Sequence, residues 1–349
     1  MNERCFDTIT VSYAESLALR HFLTDSIRAG EWWEYKLVPI LAVFYATALT
    51  LHVPVRSIWP GAVMLLLSVF PGAAYVSVIN DITDRAEDAA AGKPNRMAGR
   101  SPMVMAVMVA IPVAAGLAFS ILWRRDSLLL AFYLSAWTVF SLYSLPPFRF
   151  KTRGILGVLC DASGAHLFPA LVGVVLAYRA AHQPPRAAWL AAVAVWAFGY
   201  GLRGILWHQL TDRDNDRSAA VRTFAERHEP DVAIHLGTFI AFPLELAAFA
   251  AMLWMMASIW PLLFLAGYLL ITRLRLTYWD IQAVVVNPKP RFFIVLAEYY
   301  DALLPVSILI ASLDGVVLAL HLLVFPARLQ RLFRDARSLF AQWRHDPNR

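Results

Sequence analysis

The chain has 349 residues, of which 59% are hydrophobic and only 16% charged, with a net charge of +6 and a mean hydropathy of +0.55. A soluble domain carries roughly 25% charged residues, so this composition excludes an ordinary water-soluble enzyme and points to an integral membrane protein. Cys5 and Cys160 are too few and too far apart for a disulfide framework, and no nucleic-acid partner is expected.

Residues 1–34 are mixed and polar, without the apolar core of a cleavable leader, and read as a cytoplasmic or interfacial arm. Leu17, Phe22, Leu23 and Ile27 suggest an amphipathic helix lying on the membrane. Trp32, Trp33 and Tyr35 form an aromatic anchor with Lys36 beside them. A bilayer takes about 20 apolar residues to cross. Candidate spans fall near 37–53, 58–79, 102–123, 127–146, 155–178, 187–207, 232–255, 258–272 and 292–325. Leu274, Leu276 and Tyr278 could extend the eighth. The last run is too long for one straight span, with a possible break at Asp314-Gly315. These spans make residues 35–325 one transmembrane domain, followed by a basic tail, 326–349.

Placing the N-terminus inside puts nineteen Lys and Arg on inner segments and five on outer loops, the bias expected of a cytoplasmic, inner-membrane orientation. In the tail, Leu329, Leu332, Phe333, Ala336, Leu339, Phe340 and Trp343 recur at helical spacing among arginines, the pattern of an interfacial helix. Nine spans would leave this tail outside; an extra short segment in the 292–325 run would bring it back.

Two apolar runs end in matched acidic motifs. Asn80-Asp81-Ile82-Thr83-Asp84-Arg85-Ala86-Glu87-Asp88 carries Asp81, Asp84 and Asp88 at i, i+3 and i+7, one face of a helix. His208 to Asp216 repeats the spacing with Gln209, Asp212 and Asp216. Like charges gathered in this way call for a hard divalent cation with oxygen ligands, and Mg²⁺ carrying a phosphate fits best. Lys93, Arg96 and Arg100 follow the first motif; Arg217, Arg222 and Arg227 follow the second. Four spans separate the motifs, so both lie on one side and can meet over one cavity. A solvated helix end is the bland reading of either motif alone, and the matched pair disfavours it. A transporter is a rival, but its acids would sit near the midplane on broken helices.

Other polar groups extend the candidate site. Arg149 and Lys151 follow a Pro-Pro stop and could reach a phosphate. Asp161 and His166 lie within the fifth span, where ionisable residues are functional candidates by default. Arg203 precedes Asp212 by about two turns and could face the cavity or snorkel to the interface. Glu298 and Asp301 open the last run, as cavity lining or helix caps.

These residues resemble the UbiA superfamily of intramembrane prenyltransferases. Asn80, Asp81, Asp84 and Asp88 match its NDxxDxxxD pattern, Asp212 and Asp216 its DxxxD pattern, and Lys93-Pro94-Asn95-Arg96 its basic stretch. Tyr143-Ser144-Leu145-Pro146-Pro147 with Lys151 is similar to the YSxPPxxxK segment of the chlorophyll-synthase and homogentisate branches. Gln209 stands where many relatives carry an acid, and Ala220 near a place where a glycine is frequent. The resemblance covers roughly residues 25–310. It implies an all-α, polytopic fold of about nine transmembrane helices around a central cavity, and Mg²⁺-dependent transfer of a prenyl group from a prenyl diphosphate to a lipophilic acceptor. It further implies that Asp81, Asp84, Asp88, Asp212 and Asp216 hold metal. Asn80, Lys93, Arg149, Lys151, Arg203, Gln209, Arg217 and Arg222 would contact the substrate, and Asp161 would serve as a base or acceptor contact. Some relatives cyclise the prenyl chain or move a phosphoribosyl group onto a polyprenyl phosphate, and those reactions stand as alternatives.

Overall fold

The computed structural model describes Asp25 and residues 27–344, and 77% of these described residues are helical. Leu17, Phe22 and Leu23 lie outside the described residues. Only the elements used below are numbered. Helix α1 is Leu37–Thr50, α2 Trp59–Thr83, α3 Arg85–Ala90, α4 Pro102–Leu122 and α5 Ser127–Ser144. Helix α6 is Ile155–Ala180, α7 Ala187–Thr211, α8 Arg213–Ser218, α9 Pro230–Met256 and α10 Ile259–Tyr278. A short parallel pair, β1 Gln282–Val284 and β2 Phe292–Ile294, precedes α11 Tyr299–Ala311, α12 Gly315–Val324 and α13 Ala327–Arg344.

Seven of these helices are long and apolar enough to cross a membrane. Helices α1 and α11, two of the nine expected spans, are shorter. Helix α1 is apolar all round, and Leu37 through Ala48 are buried, the signature of a helix enclosed by others. It packs against α6 and α11. Helices α4 and α5 lie outside and present most of their apolar surface outward; Ile111 and Ile121 are exposed, as a lipid-facing surface allows. Ile27 packs against this core.

The 292–325 run resolves into three pieces. It opens with strand β2, continues through α11, and breaks where Asp314 accepts the Arg56 backbone N–H at 2.6 Å, in the turn that follows α1. Helix α12 then runs back along α1. His321 meets the Tyr45 ring at 5.8 Å, and the Trp33 indole N–H donates to the Val324 carbonyl at 3.2 Å. The extra short segment therefore exists, and it returns the tail to the end of the bundle that carries the acidic motifs. There α13 turns by 89° and lies across that end. Arg275 at the end of α10 bonds Asp335 at 2.5 Å, and Glu34 accepts the backbone N–H groups of Ala327 and Arg328.

A labelling experiment tests this. With Cys5 and Cys160 replaced by serine, Ala90→Cys, Ser218→Cys and Ser338→Cys should all react with an impermeant thiol reagent from the same side of the membrane. Labelling of Ser338→Cys from the opposite side would contradict the return of α12.

Candidate active site

Both motifs sit on one local design, used twice. A 25-residue helix, α2 or α7, ends at a single residue outside helical geometry, Asp84 or Asp212; a six-residue helix, α3 or α8, follows. Asp84 and Asp212 are 128 residues apart, and the same offset relates the backbone bonds around them. The N–H groups of Asp84, Asp88 and Lys93 donate to the carbonyls of Asn80, Asp84 and Asp88; those of Asp212, Asp216 and Val221 donate to His208, Asp212 and Asp216. Asn95 Nδ2 donates to Asp88 at 2.7 Å, and its counterpart Thr223 Oγ1 donates to Asp216 at 2.9 Å. Gly92 and Ala220, also counterparts, both have positive φ, 65° and 56°. Ala220 occupies the left-handed geometry that glycine tolerates without strain.

The expectation of three carboxylates on one continuous helix face is corrected here. Thr83 bonds back to the Ile79 carbonyl and reaches the Asp84 carboxylate at 3.1 Å, an arrangement that competes with helical continuation. The interruption sends the acids different ways. Asp81 stays on α2, buried, with one oxygen 3.5 Å from Arg28 and the other without a partner among the described residues. Asp84 pairs with Lys151 and with Arg149 at 3.3 Å. Both cations also hold Glu87, Arg149 at 2.8 Å and Lys151 at 3.1 Å.

The two motifs meet directly: Lys93, from the loop after the first, bonds Asp212 of the second at 2.9 Å. Burial pushes the Asp216 carboxyl above the usual carboxylate range, Asp212 adds to the push, and the Thr223 hydroxyl opposes it.

The remaining expected residues divide. Asn80 accepts from the Ser144 hydroxyl and lines a cavity of about 730 Å³, which Tyr143, Asp161, Arg203 and His208 also line. Arg203, however, is fully engaged. It forms two bonds to Glu245 at 2.6 and 2.7 Å and a third to the Val285 carbonyl, and it is 1% exposed. Its guanidinium ties α7 to α9 through this buried ion pair, and the residue lines the cavity as well. Gln209 accepts the Ala225 N–H at 3.3 Å and so holds the turn after the second motif, while its own amide nitrogen has no partner among the described residues. Arg217 and Arg222 are exposed and outside the cavity wall. Glu298 pairs with Arg275, and Asp301 lines the cavity.

Sequence reasoning missed Glu87, Asn95, Arg28 and Lys36. Glu87 and Asn95 lay inside or just after the motif and carried a signal in their type and position. Arg28 and Lys36 come from a distant segment, and nothing in their local pattern placed them here.

The donors suit a hard divalent cation: carboxylates on two facing motifs, and a buried Asp81 oxygen lacking a partner among the described residues. Among the described residues no three carboxylate, histidine or cysteine side chains gather around one point; arginine and lysine pair with Asp81, Asp84 and Asp212, while Asn95 and Thr223 hold Asp88 and Asp216.

A family model described as the UbiA prenyltransferase family matches residues 37–297, most of the chain. The chain belongs to the UbiA prenyltransferase family. It is thus an intramembrane prenyltransferase by family, and it shares the fold of a solved UbiA homolog from Archaeoglobus fulgidus. The form of that homolog bound to GPP and Mg²⁺ aligns with a TM-score of 0.58 at 18% identity, covering 85% of this chain and 99% of the other. The form bound to DMAPP and Mg²⁺ gives 0.57 at 18% identity, covering 84% and 99%. No curated protein matches the sequence.

Proposed function

We propose that this UbiA-family protein is a Mg²⁺-dependent transferase that takes the prenyl group of a prenyl diphosphate and attaches it to a lipophilic acceptor within the bilayer. The observation that carries this is the Lys93–Asp212 bond, which brings the twin motifs together beside the cavity that Asn80, Tyr143 and His208 line. Asp81, Asp84, Asp88, Asp212 and Asp216 would hold Mg²⁺, which supplies charge stabilisation for the departing diphosphate. The GPP- and DMAPP-bound forms of the Archaeoglobus homolog support this choice of substrate class.

The chain's own cations do the rest of the anchoring. Lys151 and Arg149 stand on the Asp84–Glu87 pair, and Lys93 on Asp212, where phosphate oxygens can accept their N–H groups. The prenyl chain fits the apolar wall, where the Trp137 ring lies between those of Tyr75 and Tyr133, with centroids 5.0 and 6.1 Å away. Their faces can stabilise allylic positive charge. The motifs' face is the cytoplasmic one in this reading, by the lysine and arginine bias of the loops.

Diphosphate release by the purified protein should stop with a chelator and return with Mg²⁺. Full turnover in chelator would sink the metal-dependent reading.

A further inference from the structure

Helix α13 lies beyond residues 37–297, the part of the chain matched to the family. We propose that its outer face is a docking surface for anionic phospholipid on the motif side of the membrane. Phe333 and Phe340 enter the acyl boundary there, and Arg331, Arg334, Arg337 and Arg344 take the head-group phosphates.

The level at which α13 starts points to the leaflet. Val316, Leu320 and Leu323 form a stripe along α12, each more than half exposed, as a lipid-facing surface requires. The end of α12 at Val324 therefore marks where the chain leaves the hydrocarbon. Only Phe325 and Pro326 intervene before α13, which turns by 89°. The turn lays α13 along the leaflet instead of sending it away into water.

The attachments of α13 decide which face looks out. Glu34 caps its first turn, and Arg328 pairs with Asp301 at 3.2 Å while standing over the Tyr35 ring. Further on, Asp335 holds Arg275, and Gln342 accepts the Trp279 indole N–H at 3.2 Å. Leu332 and Leu339 are buried against the bundle. A helix tied down along its length presents one fixed face, where a loose tail would present all of them in turn.

That face is sorted by chemistry. Phe333 and Phe340 stand two turns apart on one flank, 63% and 38% exposed. Arg337 and Arg344 follow each of them by four residues, and Arg334 and Arg331 continue round the helix; all four arginines are exposed. No ion pair engages them among the described residues. The one acid in the helix, Asp335, points inward to Arg275. Cations gathered without an anion repel one another, and they call for negative charge from outside. A zwitterionic leaflet returns as much positive charge as negative; an anionic one supplies the net complement. Arginine stems are long enough to reach the phosphates while the phenyl rings sink below them.

The experiment titrates the full chain in detergent with palmitoyl-oleoyl phosphatidylglycerol or phosphatidylcholine and reads lipid binding by native mass spectrometry. The wild type should bind phosphatidylglycerol about tenfold more tightly. The triple variant Arg331→Gln, Arg334→Gln, Arg337→Gln should reduce that preference below about threefold, and the same three changed to Lys should keep most of it. Arg56→Gln, Arg124→Gln, Arg125→Gln removes the same charge at the opposite end of the bundle and should leave the preference intact. Phe333→Ser with Phe340→Ser should weaken both lipids alike. Should the triple variant fail to fold, Arg334→Gln and Arg337→Gln carry the test singly, each lowering the preference about twofold. Equal affinities in the wild type, a preference that survives the tail changes, or one lost equally in the opposite-end variant would overturn the proposal. So would displacement of the lipid by an equal concentration of soluble glycerophosphoglycerol, which would make this a head-group pocket and not a leaflet surface.

Discussion

Asp81→Asn and Asp212→Asn should each lower prenyl transfer about a thousandfold, with the protein still folded and inserted. Each change replaces a hard anionic oxygen by a neutral amide, a poorer ligand for a divalent cation. The leaving diphosphate gains charge as the C–O bond breaks, so the loss falls mainly on the transition state. A thousandfold corresponds to about 4 kcal/mol, within reach of one charged ligand in a site sheltered from water. The two changes differ in their local effect. Asp81 is buried with one oxygen unpartnered among the described residues and the other in a long 3.5 Å contact with Arg28, so asparagine there gives up a weak pair, relieves the burial of a charge and should change the fold's stability little. Asp212 holds Lys93, so its loss also loosens the link between the motifs. Initial rates of diphosphate release, beside a melting curve for each variant, separate the two. Near-full activity in both variants would make the acidic clusters structural and end the transferase reading.

Glu245→Ala should be the most destabilising single change in the bundle. It would leave the Arg203 guanidinium, 1% exposed, without its two carboxylate bonds. Removing one partner of a buried pair costs about 3–5 kcal/mol, because the other charge is then uncompensated. The helices cannot easily shift to admit water. At Gly199 a Cβ would stand 3.0 Å from the Ala241 carbonyl oxygen of α9, so α7 and α9 are in close contact. The double variant Arg203→Met with Glu245→Leu should recover most of the loss, since no charge remains to solvate. Thermal unfolding in detergent reads both. A Glu245→Ala protein as stable as wild type would mean that water reaches Arg203 after all.

Much of the fold was legible because a bilayer simplifies the reading. Hydropathy placed the long helices, and the eighth extends to Tyr278 as Leu274 and Leu276 suggested. The break at Asp314 was visible as a polar pair in an apolar run. The route of α12 was not, because ten residues are too few for a hydropathy signal, and its direction is set by partners on α1. The acidic motifs were legible through their spacing, but their interruption was not. Asp84 leaves the helix because of a threonine's hydrogen bonds, and periodicity cannot see those. The partner of Arg203 was hidden for a related reason. A lone arginine in an apolar helix looks the same whether it faces a ligand or a glutamate 42 residues away. Lys36 reads as an interfacial anchor until His166 Nε2 is placed 2.7 Å from it.

The twin motif has a practical corollary. Because positions n and n+128 share backbone bonds, and even the side-chain bond that fixes the last acid, each half serves as an internal standard for the other. Asp81 and Gln209 are counterparts, as are Gly92 and Ala220, Asn95 and Thr223. Swapping residues between the halves alters chemistry on a scaffold held constant. A defect that follows the residue can then be told from one that follows the location, a comparison most enzymes offer only through a second protein.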